Sequence, residues 1–194
     1  MVSRRTPDFG ALLARIGTTL DGHGIPFMLI GGQAVLLHGQ PRLTQDVDVT
    51  LGIGPERLAE VLTACNSLAL EPVPDDPEAF VRRTFVLPAL DPDTGIRVDL
   101  IFSTTPYETA AIRRAQRVEV GGANVPFATA EDLIIHKLFA ARPRDLEDAA
   151  GVVRRKGAEL DWDYLRAWCT EFATVEGREG MLASLEALRR ELEP

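Results

Sequence analysis

The most informative part of the chain reads LIGGQA at residues 29–34 and RLTQDVD at residues 42–48. The apolar run at residues 25–30 predicts a buried strand, and the two glycines separate it from a short helix predicted at residues 33–38. Apolar residues alternate with polar and acidic ones over residues 44–51, which predicts a strand with one apolar and one acidic face. We therefore predict a strand, a glycine turn, a helix and an acidic strand in succession.

Hydrophobic spacing outlines the rest of the chain. Helices are predicted at residues 9–20, 56–68 and 105–115, and hairpins at residues 83–102 and 117–127. The proline-rich residues 72–77 are predicted to be a connection. Every later periodic segment is helical, at residues 129–141, 144–157, 162–173 and 177–192. We therefore predict an α/β domain over residues 1–127 and a helical region over residues 128–194.

The composition excludes several classes of protein. The chain has 194 residues, 45% of them hydrophobic, which is enough to form a core. No apolar run reaches the ~18 residues of a membrane span, and no apolar segment follows Arg4 and Arg5 as a signal peptide requires. We therefore expect a cytoplasmic protein with no membrane partner. Two isolated cysteines exclude a disulfide scaffold or a zinc ribbon. The net charge of −8 disfavours non-specific binding to nucleic acid, although a local patch could still bind RNA.

Five residues have the chemistry expected of a phosphate and metal site. Gly31 and Gly32 lie between a predicted strand and a helix start, where a backbone can approach a phosphate closely; a tight turn without a ligand is the alternative. Asp46 and Asp48 are two residues apart on a strand, so both carboxylates project from one face. Asp99 is a lone acid in a later apolar strand. Such carboxylates suit Mg²⁺ or Mn²⁺, and their alternative interpretation is a solvated strand face.

Together these residues resemble the nucleotidyltransferase superfamily, in which a GG or GS turn is followed by DxD and by a third acid on a later strand. The resemblance implies a mixed β-sheet flanked by helices, and transfer of a nucleoside monophosphate from an NTP to an acceptor. It implies that Gly31 and Gly32 bind phosphate, and that the catalytic metal ligands are Asp46, Asp48 and Asp99. The chain departs from the GS form, because Gly32 offers no hydroxyl.

Two segments narrow the resemblance to the AbiEii-type toxin nucleotidyltransferases. The first is RLTQDVD, which has that family's Arg-x-Thr/Ser-x-Asp-x-Asp form. The resemblance implies that Arg42 and Thr44 contribute to nucleotide binding. The second covers residues 131–148, where a helical lysine is followed by an Arg-x-Arg-Asp-x-x-Asp run. The resemblance covers residues 27–150.

The second segment also carries a signal of its own. Lys137 is one of only two lysines and shares a helix face with an apolar stripe. A buried ammonium is unfavourable unless it reaches the helix edge or binds an anion such as a triphosphate, so Lys137 is predicted to be catalytic and nucleotide-binding. Asp145 is expected to hold an arginine or Lys137 in place. The further nucleotide-binding residues expected in this run are Arg142, Arg144 and Asp148.

We therefore expect a Mg²⁺- or Mn²⁺-dependent nucleotidyltransferase, and the AbiEii-type resemblance implies the toxin of a toxin–antitoxin pair with an antitoxin as partner. The substrate would be an NTP. The acceptor hydroxyl could belong to RNA, including tRNA, to a protein or to a small molecule. Transfer to an aminoglycoside-like small molecule is the first alternative. A non-catalytic nucleotide-binding or antitoxin-like module is the second.

Overall fold

A seven-stranded mixed sheet is the framework of the first two thirds of the chain. The structure is a computed structural model that describes residues 8–192. The strands are β1 (Phe27–Ile30), β2 (Asp46–Leu51), β3 (Glu71–Pro72), β4 (Val86–Leu90), β5 (Arg97–Phe102), β6 (Gln116–Val120) and β7 (Ala123–Phe127). Their order across the sheet is β3-β4-β5-β2-β1-β7-β6. β2 runs parallel to β5 and antiparallel to β1, and β1 runs parallel to β7, so the sheet is mixed.

Helices precede, interrupt and follow these strands. They are α1 (Phe9–Gly22), α2 (Gly31–His38), α3 (Leu58–Leu68), α4 (Pro77–Thr84), α5 (Pro106–Arg114), α6 (Ala130–Ala140), α7 (Pro143–Lys156), α8 (Trp162–Phe172) and α9 (Met181–Arg190). The α/β architecture with a mixed sheet that the sequence predicts is confirmed. None of the helices between residues 8 and 192 combines the length and the apolar composition that a bilayer span requires.

The chain divides into two units, which are named here by their main content. The sheet unit contains the chain up to Gly32 together with Thr44–Phe127, and the helical unit contains Gln33–Leu43 together with the chain from Ala128 onward. The sequence-based division also changes at residue 127, but it assigns residues 33–43 to the α/β domain. These residues belong to the helical unit because their contacts are with it: His38 Nε2 and the backbone oxygen of Ala128 are 2.8 Å apart.

In the central strands β2 and β5 of the sheet unit, buried residues mostly alternate with more exposed ones. Val47, Val49 and Leu51 of β2 are fully buried, as the period-two pattern predicts. In β5 the buried residues are Val98, Leu100 and Phe102. All four residues of β1 are buried as well. The apolar faces of β2 and β5 therefore anchor these strands in the core and leave their polar residues together on the opposite face.

One helix was not expected from the sequence. The connection predicted at residues 72–77 and the strand predicted from residue 83 are corrected by α4, whose last residue is Thr84. The Asp76 side chain caps this helix by accepting a hydrogen bond from the Ala79 amide, and Pro77 occupies its first turn. Only Val81 of α4 is buried, so this short segment offers few apolar residues by which the sequence could identify a helix.

Three helices end on a non-glycine residue with a left-handed backbone, which costs about 1 kcal/mol each. The residue that follows α3 is Ala69, with φ 57° and an exposed side chain. We expect Ala69→Gly to raise the free energy of unfolding by roughly 0.5–1 kcal/mol, because glycine adopts this conformation without steric conflict. Urea denaturation measures the change.

Ala59→Gly is the matched control, since Ala59 is an exposed residue inside the same helix. Glycine in a helix interior destabilises by roughly 0.5–1 kcal/mol, so the two substitutions should have opposite signs. Destabilisation by both variants would contradict the prediction.

Candidate functional site

The polar residues of β2 and β5 form an acidic face, defined as Asp46, Asp48 and Asp99. Asp48 and Asp99 are direct partners in the parallel pairing of the two strands, and Asp46 is the partner of Arg97. Neighbouring strands are about 4.8 Å apart, and residues two apart on a strand are about 6.7 Å apart. The sheet register therefore brings together the three carboxylates that the sequence predicts to act together.

The glycine turn at the start of α2, directly after β1, packs against this acidic face. Gly31 has φ +61°, and a Cβ atom at this position would overlap with Oδ2 of Asp48. A Cβ atom on Gly32 would overlap with Oγ1 of Thr44. Each glycine is thus required by a different neighbour on the polar side of the strands. A serine at position 32, as in the GS form, would require the side chain of Thr44 to shift.

The carboxylates of the acidic face already accept hydrogen bonds from the protein. Thr44 Oγ1 donates to Asp46 Oδ1 over 2.9 Å, and Arg97 Nε donates to Asp99 Oδ1 over 2.7 Å. The pKa of Arg97 is raised, first by its hydrogen bond to Asp99; burial opposes the rise, and the charges of Asp46 and Asp48 add to it. The guanidinium of Arg97 therefore neutralises part of the negative charge of the acidic face.

The donor set of the acidic face fits a hard divalent cation. Three carboxylates on one face offer the oxygen ligands that Mg²⁺ and Mn²⁺ take up. Between residues 8 and 192, however, no three potential ligands are gathered around a common point. One physical reason is that like charges repel, and Asp99 is turned toward Arg97 instead. Cation binding would require the side chains of the acidic face to rotate, with the strand register unchanged.

A second charged cluster lies within the helical unit and is called here the charged network: Arg42, Lys137, Arg142, Asp145 and Asp148. Lys137 Nζ is 2.8 Å from Asp145 Oδ1 and 2.9 Å from Asp148 Oδ2. Arg42 binds Asp148 through two nitrogens, over 2.8 and 2.9 Å. Arg142 Nε donates to Asp145 Oδ2 over 2.5 Å. The buried ammonium of Lys137 is therefore balanced by two carboxylates, and the network carries three positive and two negative charges.

Burial and ion pairing act in opposite directions on the two carboxylates of the network. Burial is the largest single influence on Asp145 and would raise its pKa, but the hydrogen bonds from Arg142 and Lys137 outweigh it and the pKa is lowered. The pKa of Asp148 is lowered in the same way, with Arg42 and Lys137 as the partners. Both side chains are thus held as charged carboxylates at neutral pH.

The predicted site residues fall into two groups by unit. In the sheet unit the structure assembles the two glycines, Thr44 and the acidic face. In the helical unit it assembles Arg42, Lys137, Arg142 and Asp148, with Asp145 bound to Lys137 and Arg142. Arg144 is exposed in the first turn of α7 and is outside the charged network. Whether these residues bind nucleotide stays a prediction.

Two polar residues were given no role by the sequence. Arg97 precedes Asp99 by two positions on a strand, and this spacing on one face is the signal that could have identified it. Gln33 follows the glycine turn and is 5% exposed. Its Nε2 finds no hydrogen-bond partner among residues 8–192, and a buried amide of this kind has no sequence signal.

The contact between Gly31 and Asp48 can be measured with a matched glycine. Gly24 has φ +64°, close to that of Gly31, but a Cβ atom there would meet nothing within 4 Å. We expect Gly24→Ala to lower the free energy of unfolding by roughly 1 kcal/mol through backbone strain alone. Gly31→Ala should cost at least about 1 kcal/mol more, because it also displaces Asp48.

A double-mutant cycle separates the two effects. In an Asp48→Ala background, Gly31→Ala should cost about 1 kcal/mol less than in the wild type, since the carboxylate is gone and only the Cβ atom of residue 48, 3.0 Å from the new Cβ atom, remains. Chemical denaturation of the four variants gives the coupling energy. Additive costs at positions 31 and 48 would contradict the close packing.

The charged network should make the free energy of unfolding depend on pH. The pKa of Asp148 in the folded protein lies below its unfolded value of about 3.9. The ion pairs of Asp148 therefore stabilise the folded state fully above the unfolded pKa, and this stabilisation is lost as the pH falls through the folded pKa. We expect Asp148→Asn to lower the free energy of unfolding at pH 7 by about 3 kcal/mol, because Lys137 and Arg42 lose their shared partner. The deficit should shrink below pH 4.

Urea denaturation between pH 3 and pH 7 tests this dependence. Glu147→Gln is the control, since Glu147 is an exposed acid on the same helix, and it should change stability little at any pH. A deficit of Asp148→Asn that stays constant from pH 7 to pH 3 would rule out the ion-pair origin.

A family model described as "Nucleotidyl transferase AbiEii toxin, Type IV TA system" matches residues 11–193. No curated protein sequence matches the chain significantly.

Several solved structures are similar to the chain. A solution structure of the antibiotic-resistance factor ANT(2'')-Ia has a TM-score of 0.57 at 18% identity, covering 88% of this chain and 96% of that one. An antigenic nucleotidyltransferase-like protein from Paracoccidioides brasiliensis has a TM-score of 0.54 at 16% identity, covering 92% of both chains. The lincosamide antibiotic adenylyltransferase LnuA, in its lincomycin-bound form, has a TM-score of 0.50 at 14% identity, covering 73% of this chain and 94% of that one.

At these identities the solved structures show a common fold and nothing finer. The family model covers nearly the whole chain, and it includes the acidic face, the glycine turn and the charged network. The chain therefore belongs to the AbiEii family of nucleotidyl transferase toxins of type IV toxin–antitoxin systems, as its sequence motifs predict, and is a nucleotidyltransferase.

Proposed function

We propose that the protein transfers a nucleoside monophosphate from an NTP to an acceptor hydroxyl in a reaction that depends on Mg²⁺ or Mn²⁺. The observation that carries this proposal is the acidic face. Its three carboxylates occupy neighbouring positions on β2 and β5, and the turn at Gly31 packs directly on Asp48. A strand face that only met solvent would have no need of a glycine with φ +61° against one of its carboxylates.

The residues of the acidic face would have distinct roles. Asp46 and Asp48 would hold the divalent cation, and Asp99 would complete its ligands or accept the proton of the attacking hydroxyl. When bound, the cation supplies charge neutralisation for the triphosphate and for the pyrophosphate that leaves. Gly31 and Gly32, in the first turn of α2, would offer backbone N–H groups to the phosphates. Thr44 would keep Asp46 oriented through its hydrogen bond.

We keep the prediction that the charged network contributes to nucleotide binding. Its five side chains sum to one positive charge, which favours an anion such as a phosphate. Lys137 already contacts two carboxylates, so its first role would be to fix Asp145 and Asp148. Arg142 and Arg144 are exposed and would approach the nucleotide with less reorganisation.

The family description supports a toxin function for this nucleotidyltransferase, and we propose an antitoxin as its partner and the cytoplasm as its compartment. The acceptor hydroxyl would belong to RNA, including tRNA, to a protein or to a small molecule. Among these, the net charge of −8 favours a small cationic acceptor, because an acidic protein attracts cations over long range.

Transfer of labelled nucleotide tests the proposal. We expect one α-³²P-labelled NTP, incubated with the protein, Mg²⁺ and fractionated cell extract, to label one class of molecule: RNA, protein or small molecules. Asp46→Asn and Asp48→Asn should abolish labelling, because each removes a ligand charge from the acidic face. Circular dichroism should show both variants folded.

Asp75→Asn provides the matched control, since Asp75 is an exposed acid of the sheet unit outside the acidic face. It should label the acceptor at the wild-type rate. Full transfer by Asp46→Asn or Asp48→Asn would sink the assignment of the acidic face. Binding of NTP without labelling in any fraction would favour the non-catalytic module.

A further inference from the structure

We propose that Arg97 is the resident counter-ion of the acidic face, and that a divalent cation must displace its guanidinium from Asp99 in order to bind. This inference rests on the proposed function, because it concerns the cation of that same site. Arg97 thereby sets the affinity of the protein for the metal ion. It is a positioning residue, which acts through the carboxylate that it holds.

The geometry of β5 places Arg97 among the carboxylates. Its Nε donates to Asp99 Oδ1 over 2.7 Å, and its partner in the register of β2 and β5 is Asp46. Asp48 is in turn the partner of Asp99. One guanidinium and three carboxylates therefore occupy four adjoining positions on a single face, with a net charge of −2. Arg97 thus neutralises negative charge of the acidic face that a bound cation would otherwise neutralise.

The two partners differ in exposure, and this difference makes an exchange feasible. The side chain of Asp99 is 18% exposed, whereas that of Arg97 is 55% exposed. An arginine with this exposure can turn its guanidinium into water at small cost, since solvent-exposed ion pairs are weak. The carboxylate stays on the strand face and becomes available to another cation.

Displacement also explains why the acidic face has no ready-made metal geometry. No three potential ligands converge among residues 8–192, and Asp99 is committed to Arg97. Held in this way, the face resists the repulsion of its own charges before the cation arrives. A competing fixed positive charge lowers the affinity for a divalent cation, and its removal should raise it.

Two other roles for Arg97 make different predictions. A purely structural ion pair would stabilise β5, so its loss would lower the melting temperature and leave metal affinity unchanged. A phosphate ligand would strengthen nucleotide binding, so its loss would weaken the affinity for NTP and leave binding of the metal alone unchanged. Affinity for the metal in the absence of nucleotide is therefore the decisive measurement.

The test is a titration of the full chain with Mn²⁺, followed by electron paramagnetic resonance of the free ion, with and without a non-hydrolysable NTP analogue. We expect Arg97→Gln to bind Mn²⁺ without nucleotide about threefold to tenfold more tightly than the wild type. Arg97→Lys keeps the charge and should bind nearly as the wild type does. The difference should narrow as salt is added.

Arg117→Gln is the matched control. Arg117 lies on β6 and pairs with Asp21 of α1. Three strands separate β6 from β5, so Arg117→Gln makes the same change of net charge at a distance from the acidic face. It should leave the Mn²⁺ affinity unchanged. Melting curves of all variants without metal establish that each is folded, and Mn²⁺ should raise the melting temperature of Arg97→Gln more than that of the wild type.

The outcomes separate this inference from the proposed function. Equal or weaker Mn²⁺ binding by Arg97→Gln, with binding abolished by Asp48→Asn, would overturn the counter-ion role and leave the metal site standing. The absence of Mn²⁺ binding in every variant, even with the nucleotide analogue, would overturn both. Tighter binding by Arg97→Gln and Arg117→Gln alike would attribute the effect to net charge and also overturn the role of Arg97.

Discussion

Mutual repulsion of three carboxylates is the constraint on which the sheet unit depends. Asp46, Asp48 and Asp99 share one face because β2 and β5 pair in parallel register, and the buried residues between them fix that register. A slip by one residue would bury the charges and expose the core, so the apolar face enforces a polar arrangement that is unfavourable by itself. The protein moderates it locally through Thr44 and Arg97. A cation bound at this face, as proposed above, would relieve the same repulsion.

The helical unit handles buried charge in the opposite way. Lys137, Asp145 and Asp148 are nearly inaccessible to solvent, yet each has a partner of opposite charge within 3 Å. Such a network adds little net stability compared with an apolar core, but the loss of one member leaves the others uncompensated. Its value is geometric, because Arg42 is held by two hydrogen bonds to Asp148 and lies two residues before Thr44. Within the helical unit, the segment Gln33–Leu43 is thus held to α7.

Local patterns in the sequence were sufficient for the parts of the structure that depend on local geometry. The alternation of residues in β2 gave both of its faces, since side-chain direction in a strand is set by the backbone alone. The glycine turn was recognisable because two consecutive glycines follow an apolar run, and Gly31 adopts the left-handed conformation that glycine favours. Helix α4 was missed, although Asp76 before Pro77 was a usable start signal. The pairing of Arg97 with Asp99 was missed because their two-residue spacing places them on one face without showing that they form an ion pair. The membership of residues 33–43 in the helical unit could not be predicted, because it depends on partners such as Asp148, 106 residues further along the chain.

That long separation has a consequence for synthesis of the protein. Arg42 leaves the ribosome 106 residues before Asp148 is made, a delay of about 5 to 20 seconds at ordinary elongation rates. During this interval the segment Gln33–Leu43 cannot contact the rest of the helical unit, which has not yet been made. Its residues Ala34 and Val35, which are buried in the folded protein, therefore lack their final packing partners. The rest of the sheet unit, Thr44–Phe127, is translated in between, so the strands can pair before this segment meets its partners. The order of translation thus makes the helical unit the last to close, and a ribosome stalled before α7 would hold a chain whose loop before β2 lacks its anchor.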